Sequence, residues 1–516
     1  MKPYVRYLLL ALSLPPLLVV VLISIPLAPP PLMGVPGDYA ITRVRVIDTL
    51  NGAVSPPSTV LISGGRIVDV LDRDNTEHTG FTEIPAEGKF LIPGLWDMHT
   101  HGLKLSPYIH HPLFIRYGVT SVRDMSGCLN EEDSYWACPT DRRGWEQEAL
   151  QGDRVSPRYP LQSSYQTNGG NEVPDDFPDF FRLASEDDAE KLVSFYKNEN
   201  VDFIKLYTEL SQTQYDQLSS YANEADIAIA GHKPITVSLD HAMDTGMRSI
   251  EHGRLFAFEC YEGISDFRNL ENPIAHYNAD FIRDMVTQQE EDKCLQQMNA
   301  MAQSSTWWVP TLTTLRMSAK AQDPLFLNDA RLKYIPFSVQ KLLWEPDINR
   351  AARKGNDSQG NFVHADFYTL AARQLALAQE SGVSIMSGTD NIDTWVFSGA
   401  SLHDELAYFV EAGLTPLEAL QSATIFPARF AGLEQAFGSV DIGKQADLVL
   451  LNMNPLEDIR NTADIQAVFF NGYYFNTDAL QILDTYTVEM ASSIRINIRF
   501  LYDLLSSPLM RIQLAD

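Results

Sequence analysis

The sequence predicts an α/β fold: a (β/α)8 barrel carrying a composite β-sandwich built from its N- and C-terminal flanks. Three observations predict it. Apolar, strand-like runs alternate with helical patterns across residues 93–432. Shorter alternating runs broken by Gly and Pro lie on both sides of that span. Polar residues able to ligate a metal stand at the ends of separate strands, where such barrels gather their active sites.

Taken in order, residues 1–37 form an apolar segment and linker. Lys2 and Arg6 precede an uncharged run from Tyr7 to Ala28, and the first charge beyond it is Asp38. That run exceeds the roughly 20 apolar residues needed to span a bilayer. Positive charge before it places the N-terminus in the cytoplasm and the chain from Asp38 onward outside. No A-x-A site precedes APPP, so an uncleaved membrane anchor through residues 7–28 is preferred to a signal peptide and a secreted protein. Residues 38–92, with YAITRVRVIDT, TVLISGGRIVDV and GKFLIPG, read as a small β unit that residues 433–478 complete through DIGKQADLVLLN and AVFFNGYYF.

Between these flanks the candidate strands are LWDMHTH, VTSVRDM, the stretch around Arg158 to Ser164, VDFIKLY, ADIAIAGH, SIEHG, TWWVPTL and VSIMSGTD. Helical runs open near Ser211 and Ser238. Eight such strands make a TIM barrel, here with an insertion over residues 314–365 that reads as a lid or oligomer contact. Residues 479–516 form a helical tail that packs on the barrel, a second subunit or the membrane rather than performing chemistry.

Composition narrows the function classes. With 516 residues, 45% hydrophobic and 21% charged, the chain is globular and long enough for a large core and a satellite unit. Its 39 Lys and Arg against 67 Asp and Glu, a net charge of −28, would repel phosphate backbones and argue against a nucleic-acid partner. The four cysteines fall into two neighbouring pairs. In an exported domain that pattern suggests disulfides; three connectivities exist, and proximity favours Cys128–Cys138 and Cys260–Cys294.

The chemistry begins at His99 and His101, two apart at the close of a strand. Side chains at i and i+2 face the same way, so two imidazoles converge on one point, a metal-ligand geometry. Lys205 ends the fourth strand, His232 the fifth, His252 the sixth and Asp390 the eighth. Tyr165, Gln166, Lys233 and Arg254 occupy neighbouring positions and are candidates for substrate binding, whereas His403 opens a helix and reads as structural.

These residues resemble the amidohydrolase superfamily. PGLWDMHTH, SIEHG and SGTD stand where that family carries metal ligands, and SLHDELAYFVEAGLTPLEAL followed by IGKQADLVLLN is similar to its C-terminal signature. The resemblance covers residues 39–476, and the order of ligands is similar to the binuclear branch of imidazolonepropionase and of dipeptidases acting on Xaa-Pro or Xaa-Arg peptides. It implies two divalent ions, most often Zn2+, with His99, His101 and Asp390 on the more buried one and His232 and His252 on the other. It also implies Lys205 as N6-carboxylysine bridging both. An ammonium repels a cation, but desolvation and nearby cations favour the neutral amine that reacts with CO2.

A water acidified between the metals would then attack an amide, peptide or cyclic amide carbonyl, with Asp390 passing its proton to the leaving amine. The same centre would serve an esterase, lactonase or phosphotriesterase. Deaminase relatives generally manage with one metal and no bridging lysine. A metal-free interaction protein is the non-enzyme alternative, and the filled ligand positions count against it. Lys233 stands where the dipeptidases carry a small residue followed by Tyr, a departure from their pattern. The expected partner is a small amide or peptide, and a homo-oligomer is compatible with the sequence.

Overall fold

A computed structural model describes residues 22–71, 78–129, 133–169 and 178–513 of the chain. Seven barrel strands run in parallel: Leu95–Thr100, Val119–Asp124, Arg158–Gln162, Phe203–Leu206, Ala228–Gly231, Ser249–Glu251 and Trp307–Val309. They form a three-stranded and a four-stranded sheet. The two are joined where Thr167 bridges Leu206 and Asp202 donates its amide to the Gln162 carbonyl at 2.9 Å. Trp96, Leu161, Phe203, Ala230, Val309 and Met386, from six staves, meet in one apolar cluster, which the interior of a closed barrel permits.

The eighth stave departs from the expected strand. VSIMSGTD makes one bridge, Ile385 to Trp308, and otherwise crosses as irregular chain. It closes the barrel through the Met98 amide to the Ser387 carbonyl at 3.0 Å and the Asp390 amide to the His99 carbonyl at 2.8 Å. The reason is local. Buried Asp97 accepts from the Thr389 amide at 3.0 Å and hydroxyl at 2.6 Å, replacing ladder partners with a side chain. A Cβ at Gly388 would sit 2.8 Å from the His99 amide nitrogen, so only glycine allows this approach.

The flanks interleave in one nine-stranded sheet, with Leu448–Leu451 antiparallel to Phe90–Pro93. Strand Tyr39–Val46 pairs with Ser58–Ser63 and Thr82–Pro85 through its first half and with Phe90–Pro93 through its end. The change of neighbours falls at a register shift beside Arg43, whose φ is 58°. Such a shift is how a strand turns the corner between the layers of a sandwich. Tyr39, Ile41, Val60, Leu448 and Phe469 are among the residues of the core it encloses.

Four excursions surround the mouth of the barrel. Residues 255–303 form four α-helices and a short 3-10 helix clasped by Cys260–Cys294, and Cys128–Cys138 ties the loop after the second strand. Both bridges expected from proximity are present, with Cα atoms 4.9 and 4.7 Å apart. The 314–365 insertion is a string of short helices around Trp344 and Ile348. The tail makes helices Thr477–Ser492, Ile494–Ser506 and Pro508–Gln513, and Ile496, Phe500 and Leu504 pack on Leu103, Ile109 and Tyr135 of the barrel.

The apolar run 7–28 lies outside the described residues as far as position 21. Its described end runs along the tail, where Arg495 donates to the Ile25 and Pro26 carbonyls at 2.8 Å and Tyr486 to that of Ala28 at 2.7 Å. Among the described residues, no helix is long and apolar enough to cross a membrane.

Candidate metal centre

The first strand delivers His99, fully buried, and His101 just beyond its end. Asp390 reaches both from the irregular eighth stave, with Oδ1 2.7 Å from His101 Nε2 and 3.2 Å from His99 Nε2. One donor atom from each of the three lies within 4.8 Å of the others. Asp390 has φ 62°, a left-handed conformation that costs a non-glycine residue about 1 kcal/mol or more and is held only by surrounding structure.

Opposite them, the fourth, fifth and sixth strands supply Lys205, His232 and His252. Lys205 Nζ is buried 3.4 Å from His99 Nε2. The Nε2 atoms of His232 and His252 approach to 2.7 Å, and the ring of His252 lies 4.9 Å from that of His99. Gly231, at φ 126°, turns the chain directly before His232; a Cβ there would meet the Leu206 carbonyl at 2.4 Å. His252 has φ 74°. All six residues singled out at strand ends are thus gathered in one cluster.

Burial depresses the imidazoles of His99, His232 and His252. It lowers His99 to about 4, with Lys205 adding to the effect, and holds His232 and His252 well below 6.5. Neutral imidazole is the ligand form. Burial likewise brings Lys205 down to about 8, against the pull of Glu251 and Asp390. Burial also raises Asp390, but His99, the hydrogen bond from His101 and His252 outweigh it and hold the carboxyl well below 3.8.

A second ring of residues orients the first, and sequence reasoning missed it. Glu251 Oε2 lies 3.0 Å from His99 Nδ1, and both side chains are fully buried. Arg123 donates Nη2 to both Glu251 oxygens at 2.8 Å and Nη1 to Ser249 at 2.8 Å. Burial would raise Glu251, yet Arg123 and the His99 hydrogen bond bring it to about 2. An ionised Glu251 can only accept, so His99 carries its proton on Nδ1 and turns the Nε2 lone pair toward Asp390 and Lys205. Period-2 alternation assigns Glu251 to the face opposite His252; the left-handed backbone at His252 lets both enter the site.

The cleft over the cluster has a volume of about 450 Å3. Gln166 and Arg254 line it, as do Tyr135, Trp136, Phe367 and Met510, which come from the tethered loop, the helix before the eighth stave and the tail. Two candidates stand elsewhere. Tyr165 is buried in the core against Phe181, ring centroids 6.1 Å apart, because it points away from its neighbour Gln166. Lys233 Nζ is 3.0 Å from Glu259 and faces a separate cavity. His403 bonds Thr462 at 2.9 Å and the Tyr117 carbonyl at 3.0 Å, a structural role.

The donor set suits divalent metal: neutral imidazoles, one carboxylate and convergent nitrogens that cannot all satisfy one another. A profile described as the amidohydrolase family matches residues 207–473, a span that takes in His232, His252 and Asp390. A 5′-deoxyadenosine deaminase of Methanobrevibacter smithii is 38% identical over 81 residues, 15% of this chain and 19% of that protein, so less than a fifth of its length is matched. Among solved structures, bottromycin amidohydrolase aligns over 92% of this chain and 93% of its own, with TM-score 0.68 and 20% identity. An Xaa-Pro dipeptidase with bound methionine aligns over 85% of this chain and 100% of its own, with TM-score 0.59 and 20% identity. At such identities the structural likeness is one of fold.

Proposed function

Because this chain belongs to the amidohydrolase family and is therefore a hydrolase of carbon–nitrogen bonds, we propose that it cleaves an amide, peptide or cyclic amide bond at a binuclear metal centre outside the cytoplasm. The observation that carries this reading is the convergence of His99, His101, Lys205, His232, His252 and Asp390 from five staves on one cleft. His99, His101 and Asp390 would hold one divalent ion and His232 with His252 the second, Zn2+ being the metal these donors suit. When bound, the metals acidify a water and polarise the scissile carbonyl.

The remaining work falls to the chain's own residues. Lys205 is fully buried, and among the described residues no carboxylate comes within ion-pair distance of it, which favours the neutral amine. Its Nζ adds to the carbon of CO2 and loses a proton, leaving a carbamate with two oxygens in place of a repelling ammonium. Asp390 faces the cluster as a carboxylate; it accepts the proton of the attacking water and returns it to the departing amine. Glu251 holds His99 in the tautomer that keeps Nε2 open. Two disulfides support an oxidising compartment, in keeping with the charge pattern around residues 7–28.

The test is metal analysis of the full chain after reconstitution with Zn2+ and bicarbonate, beside a hydrolysis screen over N-acyl amino acids, dipeptides, lactones and phosphotriesters. Two ions per chain and turnover on an amide are expected, and Lys205→Ala should lose binuclear occupancy together with activity. A chain that takes up no metal, turnover confined to esters, or a fully active Lys205→Ala overturns the reading.

A further inference from the structure

Beside the metal cleft lies a second cavity of about 60 Å3, walled by Ile235, Leu255, Phe258, Ile264, Ile274 and Tyr277. It shares His232, Arg254 and Tyr277 with the cleft, so the two adjoin at Arg254. That is several times the roughly 10–15 Å3 a cavity needs to hold one water, room for a small side chain. Its polar wall holds Lys233 3.0 Å from Glu259, with Arg268 behind on the same carboxylate, and Glu251 with Arg254 on the side of the cleft.

Arg254 itself is half-buried. Its Nη2 lies 2.8 Å from His232 Nδ1, and among the described residues no carboxylate lies within ion-pair distance of it. The fully buried arginines differ: Arg123 pairs with Glu251 and Arg142 with Asp124. A guanidinium fork matches a carboxylate in two parallel hydrogen bonds, and this one lines the cleft beyond ion-pair distance of Asp390 and Asp393 on the same lining.

We propose that Arg254 and the adjoining cavity form the subsite for the amino-acid half of the substrate. The free α-carboxylate pairs with Arg254, and a small apolar side chain fills the cavity. The inference rests on the amide-hydrolase reading above and narrows its substrate to N-acyl amino acids or dipeptides ending in a residue such as leucine or methionine. In the reaction the C–N bond breaks, the water oxygen joins the acyl carbon, a proton goes to the amine, and the free amino acid departs from this subsite.

The test compares N-acetyl-leucine, N-acetyl-glycine and N-acetyl-leucinamide on the Zn2+-reconstituted full chain, with calorimetric binding of L-leucine and L-leucinamide as a readout that needs no turnover. Expected is a kcat/KM for acetyl-leucine about 10–100-fold above that for the leucinamide, the worth of a charge-assisted hydrogen bond, and a similar margin over acetyl-glycine. Arg254→Met should erase the first margin and the binding of leucine. Ile274→Trp, a replacement at a partly exposed wall position, should erase the second. Equal rates on all three substrates, or margins unchanged in both variants, overturn the subsite. If no amide is hydrolysed, the amide-hydrolase reading falls, and leucine binding lost in Arg254→Met still decides for the subsite, while its absence in the parent chain decides against.

Discussion

Two arginines reach the ring of imidazoles, and they reach it differently. Arg123 is buried on the second barrel strand and spends its guanidinium on Glu251, Ser249 and the Met98 carbonyl, all within the fold. Arg254, after the sixth strand, opens onto the cleft, where His232 is its hydrogen-bond neighbour among the described residues. The first charge is compensated as the chain folds, and through Glu251 it fixes the tautomer of His99. The second, on the proposal above, is left for the carboxylate of a substrate.

Removing Glu251 attacks the scaffold most directly. Glu251→Ala leaves the Arg123 guanidinium buried and unpaired, and a loss of about 3–5 kcal/mol in unfolding free energy is expected by chemical denaturation. Zn2+ affinity should fall about 10–100-fold with it, since His99 loses its orienting acceptor. The double variant Arg123→Met/Glu251→Met should regain much of the stability and none of the metal affinity. A stable Glu251→Ala would break the contrast at its scaffold end.

Arg254→Met is expected to leave denaturation midpoints nearly unchanged while raising KM for a carboxylate substrate about 10–100-fold. A stability loss matching that of Glu251→Ala would mean that both arginines are scaffold. The smallest effect is ionic. Raising NaCl from 0.05 to 0.5 M should increase KM through Arg254 by about 2–3-fold and leave the Arg123–Glu251 pair untouched, because salt screens partly exposed charges far more than buried ones.

The same contrast explains what could be read from the chain alone. His99, His101, Lys205, His232, His252 and Asp390 were legible because a parallel barrel collects strand ends, so position along the sequence translates into position in space. Arg254 and Gln166 follow from the same rule. Glu251 was not legible: alternation turns it away from His252, and only the φ of 74° at His252 reverses that. Nor does local pattern reveal Trp136 or Met510, which enter the cleft by tertiary packing of a loop and a tail. VSIMSGTD has the composition of a strand, but the bonds of Asp97 to Thr389 and the close approach at Gly388 take the place of a ladder. Tyr165 carried no local sign that its ring faces the core.

The Cys128–Cys138 bridge closes the loop that brings Tyr135 and Trp136 to the cleft wall. Its consequence is practical. A chain produced in a reducing cytosol, or stored with a dithiol, would keep every proposed metal ligand and lose the tether of that wall, and the dithiol would compete for a divalent metal as well. Silence from such a preparation reports its redox history, so substrate screens belong on material folded in an oxidising compartment and purified without thiols.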